Sequence, residues 1–353
     1  KRVDLRLFAR GAEFMQISND PSFKKDQWIP YETQKFWTLS NPDGNKTVYV
    51  RFKDLVGNES DVVSDSIILD RKPPFDYSII LNKGEEATNN YDQVVLVQVK
   101  AKDAVFMQFS NVPDFRSARW VGYSDLNFDW RLAGDDGLKT VYVRFRDEAG
   151  NISGVASDSI ILDRKPPYAG TVVINDGERI TNNSNKKVNL KLKAEDASEM
   201  RISNDFRFID SEWEEYTEAK DWTLYGPDGI KNVFVQFRDK LGNVSRTAQA
   251  RIGIDRQAPE QGALLIDRGA KYCTNTNKKV NLFIRVRDAT QMMISNEKLF
   301  KNKDWQTVEP YVQDWLLEGE DGEKTVFVKF QDKAGNQTEP VTATIVLDRQ
   351  QPV

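Results

Sequence analysis

Histidine is absent from the whole chain. Its absence removes the commonest general base, the usual zinc ligand, and the Ser-His and Cys-His pairs of nucleophilic catalysis. The one cysteine, Cys273, excludes an internal disulfide. It falls in the least regular part of its repeat and reads as a small apolar residue rather than a reactive thiol. The shortage of cysteine does not fix a redox compartment, because surface proteins also avoid it. No run approaches the ~20 apolar residues that cross a bilayer as a helix. Neither sign of charge dominates: 50 basic residues stand against 54 acidic ones, for a formal net charge of −4. That balance offers no basic face for nucleic acid and no Lys/Arg cluster for a membrane surface. No segment sustains a 3.6-residue apolar period, so helices are not expected either.

What the chain does contain is repetition. Asp43-Gly44, Asp136-Gly137, Asp228-Gly229 and Asp321-Gly322 lie 93, 92 and 93 residues apart. Each opens a similar stretch, such as Lys46-Thr47-Val48-Tyr49-Val50-Arg51-Phe52 and Lys324-Thr325-Val326-Phe327-Val328-Lys329-Phe330. A period this long marks an array of small domains, each able to bury one modest core. The expected divisions are 1–74, 75–167, 168–259 and 260–353. Leu5, Leu7 and Ala9 align with Val97, Val99 and Ala101, well inside the second copy. The first copy is therefore expected to lack its opening strand, as in a segment of a longer polypeptide.

The third copy serves as the template. Thr171-Val172-Val173-Ile174 is a β-branched run stopped by the turn signal Asn175-Asp176-Gly177. Val188, Leu190, Leu192 and Ala194 alternate with polar residues, the period of a strand with one buried face. Met200 and Ile202 alternate likewise, and Val233, Val235 and Phe237 form the clearest inward face. With a final strand over residues 248–254, about seven short strands fill some 93 residues. The expected fold is all-β: four tandem immunoglobulin-like or fibronectin type III-like β-sandwiches in an elongated array, the first one truncated. No cysteine pair supports the core, which must rest on apolar packing.

Two tryptophans recur per copy: Trp28 and Trp37, Trp120 and Trp130, Trp213 and Trp222, Trp305 and Trp315. The second of each pair precedes a Leu by two residues and is expected in the core. The first lies between a recurring Phe (Phe23, Phe115, Phe208, Phe300) and a Tyr (Tyr31, Tyr123, Tyr216, Tyr311). Such a Trp/Tyr pair is read as a lid on the sandwich edge, with stacking on a sugar ring as the competing reading.

Asp-x-x-Gly-Asn-x-Ser/Thr recurs at 54–60, 147–153, 239–245 and 332–338. Its Asp accepts turn amides, while Gly and Asn tolerate positive φ. The Asn-x-Ser/Thr within it is also a glycosylation sequon, but turn chemistry already accounts for the Asn. Each copy ends in a joint such as Leu69-Asp70-Arg71-Lys72-Pro73-Pro74 or Ile254-Asp255-Arg256-Gln257-Ala258-Pro259. Proline makes these joints short and semi-stiff. Four sandwiches in file would span roughly 150 Å, from strands of about seven residues with loops at both ends. Asp70, Asp163 and Asp255 at the joints, with Asp103, Asp196 and Asp288 at an early strand end, raise the question of calcium. The sequence shows no dense carboxylate cluster, and ion pairs to Arg71, Arg164, Arg256 and Arg349, or turn capping, would use the same residues. No metal, cofactor or catalytic residue is expected.

Each copy, roughly Val-x-Leu-x-Leu…Met-x-Ile-Ser-Asn…Trp…Trp-x-Leu…Asp-Gly-x-Lys-Thr-Val-x-Val-x-Phe-x-Asp-x-x-Gly-Asn-x-Ser…Leu-Asp, resembles the Ig-like repeats of bacterial and archaeal extracellular proteins. The resemblance covers essentially the whole chain and departs at Gly11, where the other copies have Asp. It implies an exported, cell-surface or secreted parent without a cofactor, in which such domains act as stalks, spacers or adhesive modules. The expected function is a non-enzymatic semi-rigid stalk or multivalent adhesive array, with a protein or glycan partner at the surface and neighbouring Ig-like domains. The alternative is a glycan-binding module built on the Trp/Tyr pairs.

Overall fold

Alternation along the sequence sets the two faces of each strand. In Lys187–Glu195, Val188, Leu190 and Leu192 are buried while Lys187, Asn189, Lys191 and Lys193 are exposed, as a side-chain period of two requires. Gly229–Arg238 buries Val233, Val235 and Phe237 completely. In the computed structural model, which describes residues 1–350 apart from residue 210, such strands stack into paired sheets. The only helical pieces among the described residues are 3-10 turns at Asn82–Gly84, Asn175–Gly177 and Asp267–Gly269. Gln351 and Pro352 of the last expected joint lie outside the described residues.

The third copy shows the plan. One sheet orders the strands Tyr168–Ile174, Lys187–Glu195 and Ala219–Thr223. The other orders Ile180–Thr181, Ala248–Ile254, Gly229–Arg238, Glu199–Ser203 and Glu214–Glu215. All neighbours are antiparallel except Ile180–Thr181, which runs parallel to the last strand. The 3-10 turn between Ile174 and Ile180, with Asp176 at φ 55°, carries the chain from the first sheet to the second. The core lies between the sheets. The second and fourth copies repeat this plan with the same three and five strands. The array is therefore one of immunoglobulin-like, fibronectin type III-like sandwiches in tandem.

The first copy departs from the plan as expected. Arg2–Arg6 pairs only with Gln34–Thr38, and the opposing sheet has four strands. With no strand alongside, Ile67 is 50% exposed where Ile160, Ile252 and Ile345 of the other copies are at most 2% exposed. Gly11, the odd residue in the repeat, occupies φ 73°, and Asp103, Asp196 and Asp288 take φ 61°, 63° and 65°. All four copies thus turn left-handed at this point, and the side chain matters less than the backbone it must permit.

Each copy holds its own buried cluster. Packing divides the chain into two units, Lys1–Arg164 and Lys165–Val353, each containing two of the clusters.

Candidate functional surface

The first tryptophans lie half-buried on the outer face of the larger sheet, and three of them, Trp28, Trp120 and Trp213, lie among cations. In the second copy, Arg144 stands 4.6 Å from the Phe115 ring and 5.5 Å from Trp120. Arg146 stands 4.7 Å from Trp120 and 4.5 Å from Phe106. The two arginines are two residues apart on one strand face, about 7 Å, so they bracket the indole. Rings and guanidinium groups alternate along the sheet as Phe115, Arg144, Trp120, Arg146, Phe106. The first copy builds the same ladder from Phe23, Arg51, Trp28, Lys53 and Phe14. In the third, Arg201 and Arg238 flank Trp213.

The tyrosines do not sit beside these indoles on the surface. Tyr31, Tyr123 and Tyr216 turn edge-on against the core phenylalanines Phe52, Phe145 and Phe237 at 5.7–5.9 Å. Their hydroxyls reach the opposite sheet, accepting from Ala9 N, Ala101 N and Ala194 N at 3.0–3.2 Å. Each tyrosine is thus a tie across the sandwich.

The second tryptophans pack half-buried against the core, as expected. Each is held by an asparagine that the sequence reading passed over. Trp37, Trp130, Trp222 and Trp315 donate Nε1 to Asn19, Asn111, Asn204 and Asn296 at 3.0–3.3 Å. The same asparagine amide donates to the carbonyl of Thr38, Arg131, Thr223 or Leu316. The recurring Ser-Asn step, preceded by Ile in three copies and by Phe109 in the second, carried this signal.

The Asp-x-x-Gly-Asn-x-Ser turns do more than close hairpins. Asp147, which is buried, accepts Asn151 N at 2.7 Å and Asn151 Nδ2 at 2.7 Å. The same Nδ2 reaches the preceding joint, 3.2 Å from Asp70 O. In the fourth copy, Asn336 Nδ2 donates to Asp332 and, at 2.9 Å, to Asp255 O. An amide held by two acceptors serves the turn rather than a glycan. Ser153 Oγ accepts Phe145 N at 2.9 Å and donates to Gly154 O, completing the turn.

The joint arginines do not pair with the adjacent aspartates. Arg71, Arg164, Arg256 and Arg349 each donate backbone N and Nε to the Asp of the Asp-Gly step, 28 residues upstream: Asp43, Asp136, Asp228 and Asp321, with Nε at 2.6–2.7 Å. These hydrogen bonds hold the carboxyls of Asp43, Asp228 and Asp321 below the ordinary aspartate value. The adjacent Asp70, Asp255 and Asp348 instead cap the joint, accepting the amides of Lys72, Gln257 and Gln350.

Asp70, Asp103 and Asp147, distant in sequence, converge so that one carboxylate oxygen of each lies within 4.8 Å of the others. Calcium takes six to eight oxygens. Both Asp147 oxygens are already engaged by Asn151, and one Asp70 oxygen caps Lys72, which leaves this trio short of a coordination shell.

No protein-family model matches the chain, and no curated protein matches it either. Among solved structures it is similar to the Clostridium thermocellum CbhA fibronectin(III)-like modules, at TM-score 0.34 and 10% identity, over 50% of this chain and 94% of that one. It is also similar to the chicken CNTN1 FN1–FN3 domains, at TM-score 0.31 and 13% identity, over 78% and 99%. The likeness is one of fold. No helix of the described residues is long and apolar enough to cross a membrane.

The fourth sandwich corrects one expectation. Val308, not Tyr311, occupies the position of Tyr123 and Tyr216: its amide donates to Thr290 O as theirs do to Val105 O and Ser198 O. Tyr311 begins the strand Tyr311–Leu316, faces outward on the smaller sheet and is 43% exposed. The ladder is also reduced here, with Lys329 over Phe300 at 5.7 Å and no cation over Trp305 among the described residues.

Proposed function

We propose that the chain is a non-enzymatic structural or interaction segment of a cell-surface or secreted bacterial or archaeal protein, divided at 1–74, 75–167, 168–259 and 260–353. It serves as a semi-rigid stalk or a multivalent array. The observation that carries this reading is where the recurring polar residues are spent. In every copy the Asp-Gly aspartate clasps the joint arginine. In the second and fourth, the turn asparagine reaches the joint before it. The recurring acidic and amide groups are thus committed to closing each copy's own end and, in the second and fourth copies, to holding the joint before it, and repetition of one unit favours spacing or avidity over a single reaction centre. Stacking of glycans on the Trp/Tyr pairs has little support in the first three copies, because cations bracket the indoles and the tyrosines point inward.

Small-angle X-ray scattering of the 353-residue chain tests the stalk. Four sandwiches in file give a maximum dimension near the ~150 Å set by strand length. A value near that of one compact body of this mass overturns it.

A further inference from the structure

The outer face of the smaller sheet in the fourth sandwich carries a feature its sisters lack. Phe283 and Tyr311 are cross-strand partners, with rings 5.2 Å apart and tilted by 52°. At the position of Phe283 the first, second and third copies have Arg6, Gln98 and Lys191, and opposite it the first and third have Gln34 and Ala219. The pairing also slips by one residue between Val280 and Leu282, with Asp314 at φ 56°. A bulge of this kind re-aims side chains and recurs beside binding sites. The aromatic pair floors an open depression of about 490 Å³ whose other walls are Asp267, Arg268 and Asn281.

The polar walls are held in place and only partly used. Asp267 Oδ1 accepts Asn281 N at 2.8 Å and Nδ2 at 3.3 Å. Asn281 Oδ1 accepts Asp314 N at 3.4 Å. Oδ2 of Asp267 has no hydrogen-bond partner among the described residues. The Arg268 guanidinium lies 5.5 Å from the Phe283 ring and forms no ion pair among the described residues. Formal charges at the site cancel, since Asp267 and Arg268 both line it and nearby Asp314 lies 4.0 Å from Lys279. A net-neutral floor of aromatic carbon, rimmed by a carboxylate, a guanidinium and an amide, suits an uncharged ligand with one apolar face and a rim of hydroxyls.

We propose that this depression binds a neutral pyranose unit of a polysaccharide. The sugar's C–H face stacks on Tyr311 and Phe283, and its hydroxyls are shared between Asp267 Oδ2, Asn281 and Arg268. The proposal goes beyond the array reading, which stands whether or not a sugar binds.

The test is affinity electrophoresis of the whole 353-residue chain in native gels containing a soluble β-1,4-glucan, an α-1,4-glucan, a galactomannan or, as the anionic control, a polyuronate. Retardation in at least one neutral polysaccharide is expected. It should weaken about tenfold or more in Tyr311→Ala and in Phe283→Lys, the residue the third copy carries, and persist in Tyr311→Phe. Trp120→Ala should leave it unchanged. Both substituted rings lie on the outer face, and unchanged circular dichroism melts would show the variants folded. Migration unaltered by every neutral polysaccharide, retardation by the polyuronate alone, or retardation that survives a Phe283→Lys/Tyr311→Ala double variant would each overturn the proposal.

Discussion

Gln108 and Arg144 face each other across two paired strands, as do Gln16 and Arg51; in the third copy the two residue types trade places as Arg201 and Gln236. In each arrangement the glutamine Oε1 accepts the arginine Nε, at 2.7–2.9 Å. The guanidinium also stacks on the same pair of rings, since Arg201 lies 4.7 Å from Phe208 and 4.8 Å from Trp213. What the fold requires is a cation at that point in space, whichever strand supplies it. Arg144→Gln alone should therefore lower the stability of the second copy by about 1 kcal/mol, the upper end for one cation–π contact at an exposed site. Gln108→Arg/Arg144→Gln should recover most of it in urea titrations followed by tryptophan fluorescence. The joint aspartates make a second residue-scale prediction. A carboxyl whose folded pKa is depressed, as for Asp43, Asp228 and Asp321, adds stability that is complete above the unfolded value near ~3.9. That stability disappears as the pH falls through the folded value. Melting temperatures should thus drop below about pH 4, and Asp228→Asn should flatten the drop for its copy. The Asp–Arg clasp was not legible in the sequence because its partners lie in different loops, although the constant 28-residue spacing in all four copies was visible and went unused.

At the scale of elements, the clean two-residue alternation of Gly229–Arg238 and its sisters made the central strands readable from the order of residues alone. Strands of two residues, such as Ile180–Thr181 and Glu214–Glu215, have no period to read and emerged only with the structure. Tyr311 was misplaced for a related reason. Tyr31, Tyr123 and Tyr216 each follow the first tryptophan by three residues, where the fourth copy has Val308, so matching by residue type rather than by offset put a surface ring in the slot of a buried tie. The first strand of each sandwich covers an isoleucine on the last one, and the first copy lacks it. Ile160→Ala should cost about 2–5 kcal/mol, while Ile67→Ala, half exposed already, should cost about 0.5 kcal/mol or less. Peptide-level hydrogen exchange of the two variants decides this. Equal loss of protection in both copies would mean that the covering strand contributes little.

For the whole molecule, the informative fact is that the buried clusters are separate. Phe52, Phe145, Phe237 and Phe330 each anchor a cluster of their own, and among the described residues no member of one cluster belongs to another. Unfolding should then proceed copy by copy. Pulled from its ends in a force spectrometer, the chain should release length in discrete steps of about 30 nm, from some 93 residues at ~3.3–3.6 Å each. A single long release would show one cooperative body instead. The 93-residue period pointed this way in advance, because each unit is long enough and carries enough strands to bury a core of its own. It could not tell how copies grip each other, since that depends on where a carbonyl of one copy meets a side chain of the next.

The Asn151 amide, split between its own turn and the carbonyl of Asp70, has a consequence for biosynthesis. A polypeptide leaves the ribosome amino end first, and its domains form in that order. The acceptor at residue 70 is thus in place before the donor at residue 151 is made. The second copy thus settles its hairpin against an already finished first copy, and the fourth does the same against the third, so maturation at these two joints is directional, with the earlier member acting as the template edge for the later one.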